Sequence, residues 1–505
     1  MSRIPLRGAH ATLAALTSAR EVLDGTENAG SATHLLLALL LLKIASDTTP
    51  REPSADIAAL GAVRSLPLLE APTQAHFEYL FQQRYTPGSA PRFMAALRGL
   101  AQANPSQLCN LFPNLRLEEA LPADAERRDT ALRRLFDRFC IPALDFRGRP
   151  LAHRPDVGDA VDRMLERSAG RRGSTASPQV PEPLAWLMTA LTDPGTDESV
   201  YDPTCDEGSL LLAAARWVSD AHGGHSRLGT HQWLLFGQDR DAGRCAVARL
   251  RLLLHGLSNL HILAGDPLEE PLVDGGQLRR FRVCLACPPL TLRWSPARAY
   301  NDPHLRFMHA VAPRQWAHAA LVQHMLATLD PQHGRMAVVV PHGVLFRDGA
   351  EACLRQAWLE ANLVETVIGL PDRLFAGTPV ATALLVMRAA RHDAAVLFVD
   401  GSALCKPGTR RPRLDTTAAE ELRRICADRA SVPGIAHLVR TDEVAAGGGS
   451  LSVARYVQPA PMSCTAADLA AHRQHRIALT AQLDEIQQAL NAELEALALE
   501  LSEAE

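Results

Sequence analysis

The feature that most constrains the fold is an alternation of short apolar segments with helical patterns from about residue 184 to 388. Helical periodicity lies between several of these segments, which are too short to be buried helices. Strands that alternate with helices predict an α/β domain built on a mainly parallel sheet. The candidate strands are 199–201, 233–237, 260–263, 282–286, 335–340, 363–369 and 383–387, and a further strand at 396–400 follows this region.

The chain before about residue 167 has a different texture, with apolar residues recurring every three or four positions. Asp129 stands before Thr130, Leu132, Leu135 and Phe136, a pattern that supports an amphipathic helix there. A stretch rich in Gly, Ser and Pro then separates this part from the strands. The predicted organisation is therefore a helical N-terminal domain, a linker, an α/β core, a core extension and a C-terminal helix, at residues 1–167, 168–183, 184–400, 401–465 and 466–505.

The C-terminal helix carries an apolar seam whose members are spaced 4, 3, 4, 4, 3 and 4. This spacing is a heptad pattern with one stutter, which is typical of a helix that packs on another helix. The seam consists of Leu479, Leu483, Ile486, Leu490, Leu494, Leu497 and Leu501.

Composition excludes several classes of protein. The 505 residues are 47% hydrophobic and carry a net charge of −4, which excludes a disordered tail and a disulfide-dense scaffold. Any binding of nucleic acid must therefore depend on a local basic patch or on a partner. The basic residues are almost all arginine, with only Lys43 and Lys406 as lysines, and we interpret this as a compositional bias.

The apolar run 35–42 is too short to span a bilayer, and the first ten residues lack a signal peptide, so we expect a cytoplasmic protein with no membrane contact. The ten cysteines are scattered. Cys284 and Cys287 form a close pair with no second pair to complete a zinc site, so we expect buried free thiols and no metal site.

Four predicted strands end in residues that can carry chemistry. The first runs into Asp202 and the turn DPTCDEGS, the second ends at Asp239, and the third ends at Asp266. The fourth runs into the sequence Cys287-Pro288-Pro289-Leu290. Since the carboxyl ends of parallel strands meet at one edge of a sheet, these residues predict one ligand site there, with Asp239 placed to accept hydrogen bonds from ribose hydroxyls.

These segments resemble, in the same order, the DPxCGxGGF, GQE, GD and NPPF motifs of the gamma-class DNA N6-adenine methyltransferases. The rest of the chain resembles the modification (M) subunit of type I restriction-modification systems. The similar segments are LLKIASD at 41–47, GRMAVVVPHGVLFRDGAE at 334–351, VIGLPDRLFAGTPVATALLVM at 367–387 and LSVARYV at 451–457. The resemblance covers nearly the whole chain and implies a Rossmann-like methyltransferase core.

The resemblance implies S-adenosyl-L-methionine (SAM) as cofactor, held near Asp202, Thr204, Gly208, Asp239 and Asp266. It also implies an adenine flipped out of duplex DNA beside the loop of Cys287, Pro288, Pro289 and Leu290, which we call the CPPL loop. Family members leave sequence reading to a separate specificity (S) subunit, so DNA and an S subunit docked on the C-terminal helix are implied as partners. A second methyltransferase or a restriction subunit is implied as a further partner.

This sequence departs from the family where the chemistry lies. Asp206 and Ser209 replace glycines of the turn, and Glu207 adds a second acid beside the place of the cofactor's carboxylate. Cys287 replaces the catalytic Asn, and a thiol cannot replace a carboxamide oxygen as a hydrogen-bond acceptor. Leu290 replaces the aromatic residue that stacks on the base. The family's aromatic-Thr-Pro motif before the core is also changed. Here residues 176–178 read Ala-Ser-Pro, without the aromatic residue.

These departures leave three hypotheses. The first is a homologue of the M subunit with impaired or lost methyl transfer that acts as a DNA-binding or assembly subunit of a restriction or phage-defence system. The second is a working adenine methyltransferase in which the Pro288 carbonyl alone holds the amine. The third is an α/β protein that binds another nucleotide. A set of arginines after the CPPL loop could contact phosphates or could lie on a solvated surface: Arg293, Arg298, Arg306 and Arg314.

Overall fold

The computed structural model describes residues 7–23, 29–49, 69–147, 155–169, 180–221, 234–315, 317–375, 378–405, 414–458 and 466–503. The chain divides into two compact units, Met1–Val457 and Gln458–Glu505. The finer domain boundaries given above remain a prediction. Most of the predicted linker, including 176–178, lies outside the described residues.

Eighteen α-helices are described, and those before residue 182 are separated by no described strand. In chain order they are α1 (Arg7–Glu21), α2 (Ala29–Thr48), α3 (Phe77–Gln82), α4 (Ser89–Ala103), α5 (Pro105–Leu108), α6 (Leu117–Ala120), α7 (Ala125–Phe139), α8 (Pro155–Ala169), α9 (Glu182–Thr192), α10 (Ser209–Ala221), α11 (Ala242–Leu254), α12 (Ala317–Thr328), α13 (Gly343–Phe346), α14 (Ala350–Glu360), α15 (Thr416–Asp428), α16 (Thr441–Ala446), α17 (Val453–Tyr456) and α18 (Ala466–Glu503).

The described strands are β1 (Ser199–Asp202), β2 (Leu234–Asp239), β3 (Leu260–Ala264), β4 (Val273–Asp274), β5 (Gln277–Leu278), β6 (Val283–Ala286), β7 (Arg335–Pro341), β8 (Val364–Gly369), β9 (Thr382–Arg388), β10 (Ala395–Asp400) and β11 (Ala436–Arg440). A nine-stranded sheet has the order β11-β10-β8-β9-β7-β6-β1-β2-β3. Its strands run parallel except β9 and β11, which pair antiparallel with their neighbours.

The predicted α/β fold with a mainly parallel sheet is confirmed, and each predicted strand is present with ends shifted by one or two residues. The prediction missed β11 and the β4–β5 hairpin. β11 is an edge strand with exposed His437 and Arg440, so its sequence lacks the continuous apolar run that marks the buried strands.

The N-terminal helices form their own apolar core, which extends onto α11 of the sheet region. At its centre lies α2, where a 19-residue window from Gly30 to Thr48 is long and apolar enough to cross a membrane. However, 78% of that window is buried inside the protein, as in the core helix of a globular domain.

The predicted amphipathic helix around Asp129 is confirmed as α7. The helix begins at Ala125, because the side chain of Asp124 accepts a hydrogen bond from the amide of Arg127 and caps the N-terminus. The carboxylate of Asp129 instead accepts hydrogen bonds from the amides of Gly88 (2.7 Å) and Ser89 (2.9 Å), at the beginning of α4. A sequence window could not show that this acid caps a different helix.

Helix α18 spans Ala466–Glu503, within the second unit. The four seam residues whose side chains are described, Leu479, Leu483, Ile486 and Leu490, are between 50% and 69% exposed. The side chains of Leu494, Leu497 and Leu501 lie outside the described set.

Candidate functional site at the switch point of the sheet

The candidate site lies where the strand order reverses. β1 pairs with β2 on one side and with β6 on the other, all in parallel. Chain connections therefore leave the sheet in opposite directions between β1 and β6, which makes the crevice at their carboxyl ends a topological switch point, the usual ligand position in open α/β sheets. Asp202 ends β1 and Cys287 directly follows β6, so the four predicted strand ends do meet at one edge.

The turn after β1 is held by hydrogen bonds that its main-chain amides donate. The amide of Thr204 donates to Oδ1 of Asp202 (2.9 Å), and the amide of Cys205 donates to the carbonyl of Gln238 (2.8 Å). Gly208 has a φ of +79°, and a Cβ there would lie 3.3 Å from the Cβ of Ala248 in α11. The glycine retained by this sequence is therefore required both by its backbone conformation and by the close approach of α11.

Asp206, which replaces the first glycine of the family's turn, keeps a glycine-like backbone with a φ of +46°. Its amide donates to Oδ2 of Asp239 (3.2 Å), and its carboxylate pairs with the guanidinium of Arg244 (3.0 Å) from α11. The added negative charge thus has a cationic partner that the sequence analysis missed.

Arg251 also lies on α11, seven residues or about two turns after Arg244, so both project from the same face of the helix. Its guanidinium donates to the carbonyl of Glu207 (3.0 Å) and to Oγ of Ser209 (2.9 Å). Ser209 replaces the last glycine of the family's turn. Both replaced glycines are therefore tied to arginines of α11, and the seven-residue spacing was the sequence signal that could have shown them.

Arg251 reaches further, to Oδ1 of Asp162 in α8 (2.7 Å). Arg216 donates to Oδ2 of the same carboxylate (2.8 Å), and Nε2 of His255 lies 3.2 Å from it. Burial by itself would raise the pKa of Asp162, but Arg251, His255 and Arg216 hold it well below its usual range. The turn after β1 is consequently linked through Arg251 to a buried carboxylate of an N-terminal helix.

Two acids of the site have raised pKa values. Burial, with the charges of Asp239 and Asp206 nearby, raises the pKa of Asp202 to about 8 in spite of the hydrogen bond from Thr204. Burial also raises the pKa of Asp239. Asp202 is therefore mostly protonated at pH 7, and its carboxyl is uncharged.

This gives a pH-dependent prediction for Asp202→Asn. The unfolded chain ionises this carboxyl near its ordinary pKa of 3.8, whereas the folded protein keeps the proton until about pH 8. The folded state therefore binds more protons in that range, and the free energy of unfolding of the wild type falls as pH rises from about 4 to about 8. The Asn side chain does not ionise, so the variant does not lose this free energy of unfolding as pH rises. Its amide oxygen still accepts the hydrogen bond from the amide of Thr204.

We therefore expect the melting temperature of Asp202→Asn, relative to the wild type, to rise by ~2–4 °C between pH 5.5 and pH 8.5. Differential scanning fluorimetry at the two pH values measures this shift. Asp348→Asn, which changes an exposed carboxyl, is the control. An equal difference at both pH values would mean that Asp202 is already ionised at pH 5.5.

The CPPL loop is packed inward. Cys287 is 5% exposed, and Leu290 packs against the same apolar cluster. Burial, with Asp202 and Asp206 nearby, raises the pKa of the Cys287 thiol, so it is protonated and poorly nucleophilic. Nε2 of His318 donates to the carbonyl of Pro289 (3.1 Å). Burial lowers the pKa of His318 to about 4, so this histidine is neutral and fixes the loop through one tautomer.

The two close cysteines face different surroundings. Cys284 lies in the cluster on the other side of the sheet, with Sγ 3.8 Å from the hydroxyl of Thr328, and burial raises its pKa to about 12. Cys287 belongs to the cluster that holds Leu290. Within the described part of the chain, no group of three or more His, Cys, Asp or Glu residues could hold a metal ion.

The third predicted acid, Asp266, is paired with Arg240 (2.6 Å), the residue after Asp239. The same guanidinium donates to the carbonyl of Arg293 beyond the CPPL loop (3.0 Å). Arg240 therefore bridges the end of β3 and the segment after β6. Sequence analysis missed this bridge because its three residues are far apart in the chain.

The prediction that Arg306 is a phosphate-contacting or solvated residue is wrong. Its side chain is buried and donates to both oxygens of Asp302, to the carbonyls of Pro267 and Leu268, and to Nδ1 of His324. Every N–H of the guanidinium has a protein acceptor, so none is left for a ligand.

This arginine also fixes the hydrogen atoms of a buried chain. Since Arg306 can only donate, Nδ1 of His324 accepts and its Nε2–H points to the hydroxyl of Tyr201 (3.2 Å). That hydroxyl donates to Oε1 of Gln238 (2.6 Å), whose Nε2 donates to the carbonyl of Glu270 (3.0 Å). The chain joins β1, β2 and the loop after β3 behind the candidate site.

The residues do not fit SAM in full. Asp239, the predicted ribose acceptor, accepts main-chain amides from Asp206 (3.2 Å) and Asp241 (2.9 Å), and each of its oxygens keeps a second lone pair for a hydroxyl. At the place that the family resemblance implies for the cofactor's carboxylate, Asp206 and Glu207 add negative charge, and Arg244 pairs with Asp206 (3.0 Å). The main chain of the turn suits a nucleoside ligand. Its acidic side chains, however, would repel the carboxylate of SAM.

The mostly parallel sheet with a switch-point crevice defines the fold of the SAM-dependent methyltransferases. The chain belongs to the N-6 DNA methylase family, since the family model described as "N-6 DNA Methylase" matches residues 152–464 of 505. Fold and family imply SAM as the cofactor.

Among curated proteins, the chain is similar to the type I restriction enzyme MpnII methylase subunit of Mycoplasma pneumoniae, with 28% identity over 59% of this chain and 56% of that protein. It is also similar to the MjaVII methylase subunit of Methanocaldococcus jannaschii, with 26% identity over 60% and 53%. The chain spans about half the length of the curated relatives that it matches.

Among solved structures, the type I restriction-modification methyltransferase subunit from Streptococcus thermophilus matches with a TM-score of 0.74 and 25% identity, over 89% of this chain and 100% of that one. A modification subunit of a putative type I restriction enzyme from Vibrio vulnificus shares the fold, with a TM-score of 0.62 and 19% identity over 90% and 97%.

Proposed function

We propose that the protein is a homologue of the DNA N6-adenine methyltransferase subunit of type I restriction-modification systems whose methyl transfer is impaired or lost. It acts as a DNA-binding and assembly subunit of a restriction or phage-defence system in the cytoplasm. The observation that carries this proposal is the buried thiol of Cys287 at the switch point, where the family's motif has the carboxamide of Asn.

The CPPL loop lacks the groups that would bind and activate an adenine. The Cys287 thiol is a weak donor and a poor acceptor, so it does not hold the N6 amine. The Leu290 side chain packs against the core and offers no π-face for stacking, an interaction worth about 1–3 kcal/mol per base. Of this loop, Pro288 and Pro289 match the family's motif.

The cofactor end supports the same proposal. Asp202, Thr204, Gly208, Asp239 and Asp266 stand at the family's cofactor-binding positions. However, Asp202 is protonated, and Asp266 is paired with Arg240. Arg244 and Arg251 tie the altered turn to α11, and this order in the turn favours an assembly role over decay of the fold.

The proposed partners are DNA, a specificity subunit that docks on α18, and a second methyltransferase or a restriction subunit. Exposed apolar residues on α18 supply a surface for a partner helix. With a net charge of −4, the chain is poorly suited to hold DNA unaided, which favours a DNA-reading partner.

A second candidate function is an active SAM-dependent N6-adenine methyltransferase. One observation favours it: the carbonyl of Pro289 is occupied by His318, whereas within the described residues nothing donates to the carbonyl of Pro288. That carbonyl is free to accept a hydrogen bond from an amine.

Calorimetric titration with SAM, together with transfer of a labelled methyl group to unmethylated genomic DNA, tests the proposal. We expect no binding at micromolar SAM and no incorporation above background by the chain with its specificity partner. Micromolar binding together with incorporation would establish the second candidate instead.

The α18 surface is tested by the double substitution Leu483→Ser/Ile486→Ser. Both side chains are more than 60% exposed, so the melting temperature should stay within ~1 °C of the wild type. Loss of apolar surface should abolish co-purification of the specificity partner. Gln482→Ser/Glu485→Ser on the same helix is the matched control, and equal capture by both variants would exclude this surface.

A further inference from the structure

The segment from Trp294 to Arg314, which we call the 294–314 loop, begins four residues after the CPPL loop and is closed at its base. The amide of Trp294 donates to the carbonyl of Arg314 (3.2 Å). The indole Nε1 of Trp294 donates to the carbonyls of Ala312 (3.2 Å) and Pro313 (3.1 Å), and its ring packs on Phe307 with centroids 5.1 Å apart. The loop is therefore a compact element with a defined neck.

The loop is anchored from within by Arg306. This buried guanidinium binds Asp302 of the same loop and the carbonyls of Pro267 and Leu268, just after Asp266. The loop is thereby fixed to the same sheet edge that carries the candidate site. A buried arginine whose donors are all satisfied holds the loop in one position, since loss of a contact would leave part of a buried charge unpaired.

Next to this anchor, the chain holds an apolar side chain outward at a strained position. Leu305 has a φ of +53°, a conformation that is unfavourable for a residue with a branched side chain, and is 66% exposed. Met308 is 71% exposed and Tyr300 is 75% exposed on the same loop. One exposed leucine would be ordinary, but three large apolar side chains on one anchored loop are not.

The neck of the loop is basic. Arg314 and Arg293, the residue before Trp294, both belong to the neck, because the amide of Trp294 bonds to the carbonyl of Arg314. Both are exposed, and within the part of the chain that the structure describes neither pairs with a carboxylate. Arg298, in contrast, pairs with Glu269 (2.9 Å).

We propose that the 294–314 loop is a DNA wedge, in which Leu305 and Met308 enter the base stack of duplex DNA while Arg293 and Arg314 bind the flanking phosphates. Apolar wedges flanked by arginines are a general means of unstacking a base step. The inference rests on the proposed DNA-binding function. Duplex DNA is favoured over a protein partner because two unpaired cations lie at the neck of the loop that carries the apolar side chains, and because the loop adjoins the CPPL loop, where a flipped base would lie.

The test uses the full chain and a 30-base-pair duplex that contains one abasic site, which supplies a gap in the stack, compared with the intact duplex. At 50 mM salt we expect the wild type to prefer the abasic duplex by about tenfold in fluorescence anisotropy. Leu305→Gly/Met308→Ala should lose this preference. Glycine suits the positive φ at 305, so the variant should melt no lower than the wild type.

Val273→Ala, which truncates an exposed apolar side chain on the β4–β5 hairpin, is the matched control and should keep the preference. Arg293→Ser/Arg314→Ser should reduce the slope of log affinity against log salt by about 1.8, since each phosphate contact contributes about 0.9.

Three outcomes would overturn the wedge. If the wild type binds both duplexes equally and Leu305→Gly/Met308→Ala changes nothing, the wedge is wrong while the DNA-binding function stands. If that variant keeps its DNA preference but no longer captures the specificity partner, the loop is a protein-docking surface. If the wild type binds neither duplex, alone or with its specificity partner, the DNA-binding function itself is wrong.

Discussion

Asp162→Ala is expected to lower the free energy of unfolding by ~3–5 kcal/mol, the largest stability effect that we predict for a single substitution. The carboxylate lies on α8 and is bonded to Arg251 (2.7 Å) and Arg216 (2.8 Å), and His255 lies beside it (3.2 Å). Removing it leaves the buried guanidinium of Arg251 without its carboxylate, while Arg216 keeps Asp159. The cost of an unpaired buried charge exceeds the net value of the pair.

The packing around Asp162 leaves little space for side chains to rearrange and replace the lost ion pair. On α8, one turn before Asp162, Gly158 lies so close to His255 that a Cβ there would be 2.4 Å from its Nδ1. The histidine is therefore confined between α8 and α11. Because Arg251 also holds the Glu207 carbonyl and Ser209, we expect faster amide hydrogen exchange in the turn after β1 as well as a lower urea midpoint.

Asp159→Ala is the matched control, because Asp159 lies on the same helix, is 35% exposed and bonds to Arg216 (3.2 Å) without contacting Arg251. We expect this partly exposed pair to contribute about 0–1 kcal/mol. Equal urea midpoints for the two variants would show that the buried network does not stabilise the fold as we infer.

The second large effect concerns methyl transfer. The triple substitution Cys287→Asn, Asp206→Gly and Leu290→Phe is expected to raise methyl incorporation into DNA by at least roughly 100-fold over the wild type, since a positioned hydrogen-bonding group in an active site is worth about 10²–10³ in rate. Each substitution restores one group: the carboxamide oxygen, the close backbone approach and the stacking ring.

The structure favours the changes at positions 206 and 290 locally. Glycine suits position 206 because φ there is +46°, and removing the carboxylate frees Arg244 to face a bound carboxylate. Leu290 is half-buried at the surface of its cluster, so a phenylalanine ring has room to extend. Position 287 is the most demanding, because the new carboxamide must be hydrogen-bonded where a thiol was buried.

Incorporation of labelled methyl groups, measured with the specificity partner present, reports the result. The control replaces Cys287→Asn with Cys287→Ser in the same triple background, which supplies a hydroxyl instead of a carboxamide. If the Asn variant folds, binds SAM and still transfers no methyl groups, the loss does not lie at these three positions.

Much of the fold could be predicted from the sequence, because parallel strands buried on both faces read as continuous apolar runs bounded by turns. The four strand-end segments were placed together correctly for the same reason, since parallel strands bring their carboxyl ends to one edge. The edge strand β11 was missed, because its exposed residues left only a weak pattern in the sequence. The helix α7 was predicted, but its cap by Asp124 was seen only in the structure.

The sequence by itself thus determined the α/β fold, the position of the site at the ends of β1, β2, β3 and β6, and the departures of Asp206, Ser209, Cys287 and Leu290 from the family's motifs. Only the tertiary structure decided what surrounds those residues. Arg306 became a buried anchor, and Arg244 and Arg251 became partners of the altered turn. The physical reason is that an arginine's role depends on burial and on acceptors contributed by distant segments, and neither has a local signature in the chain.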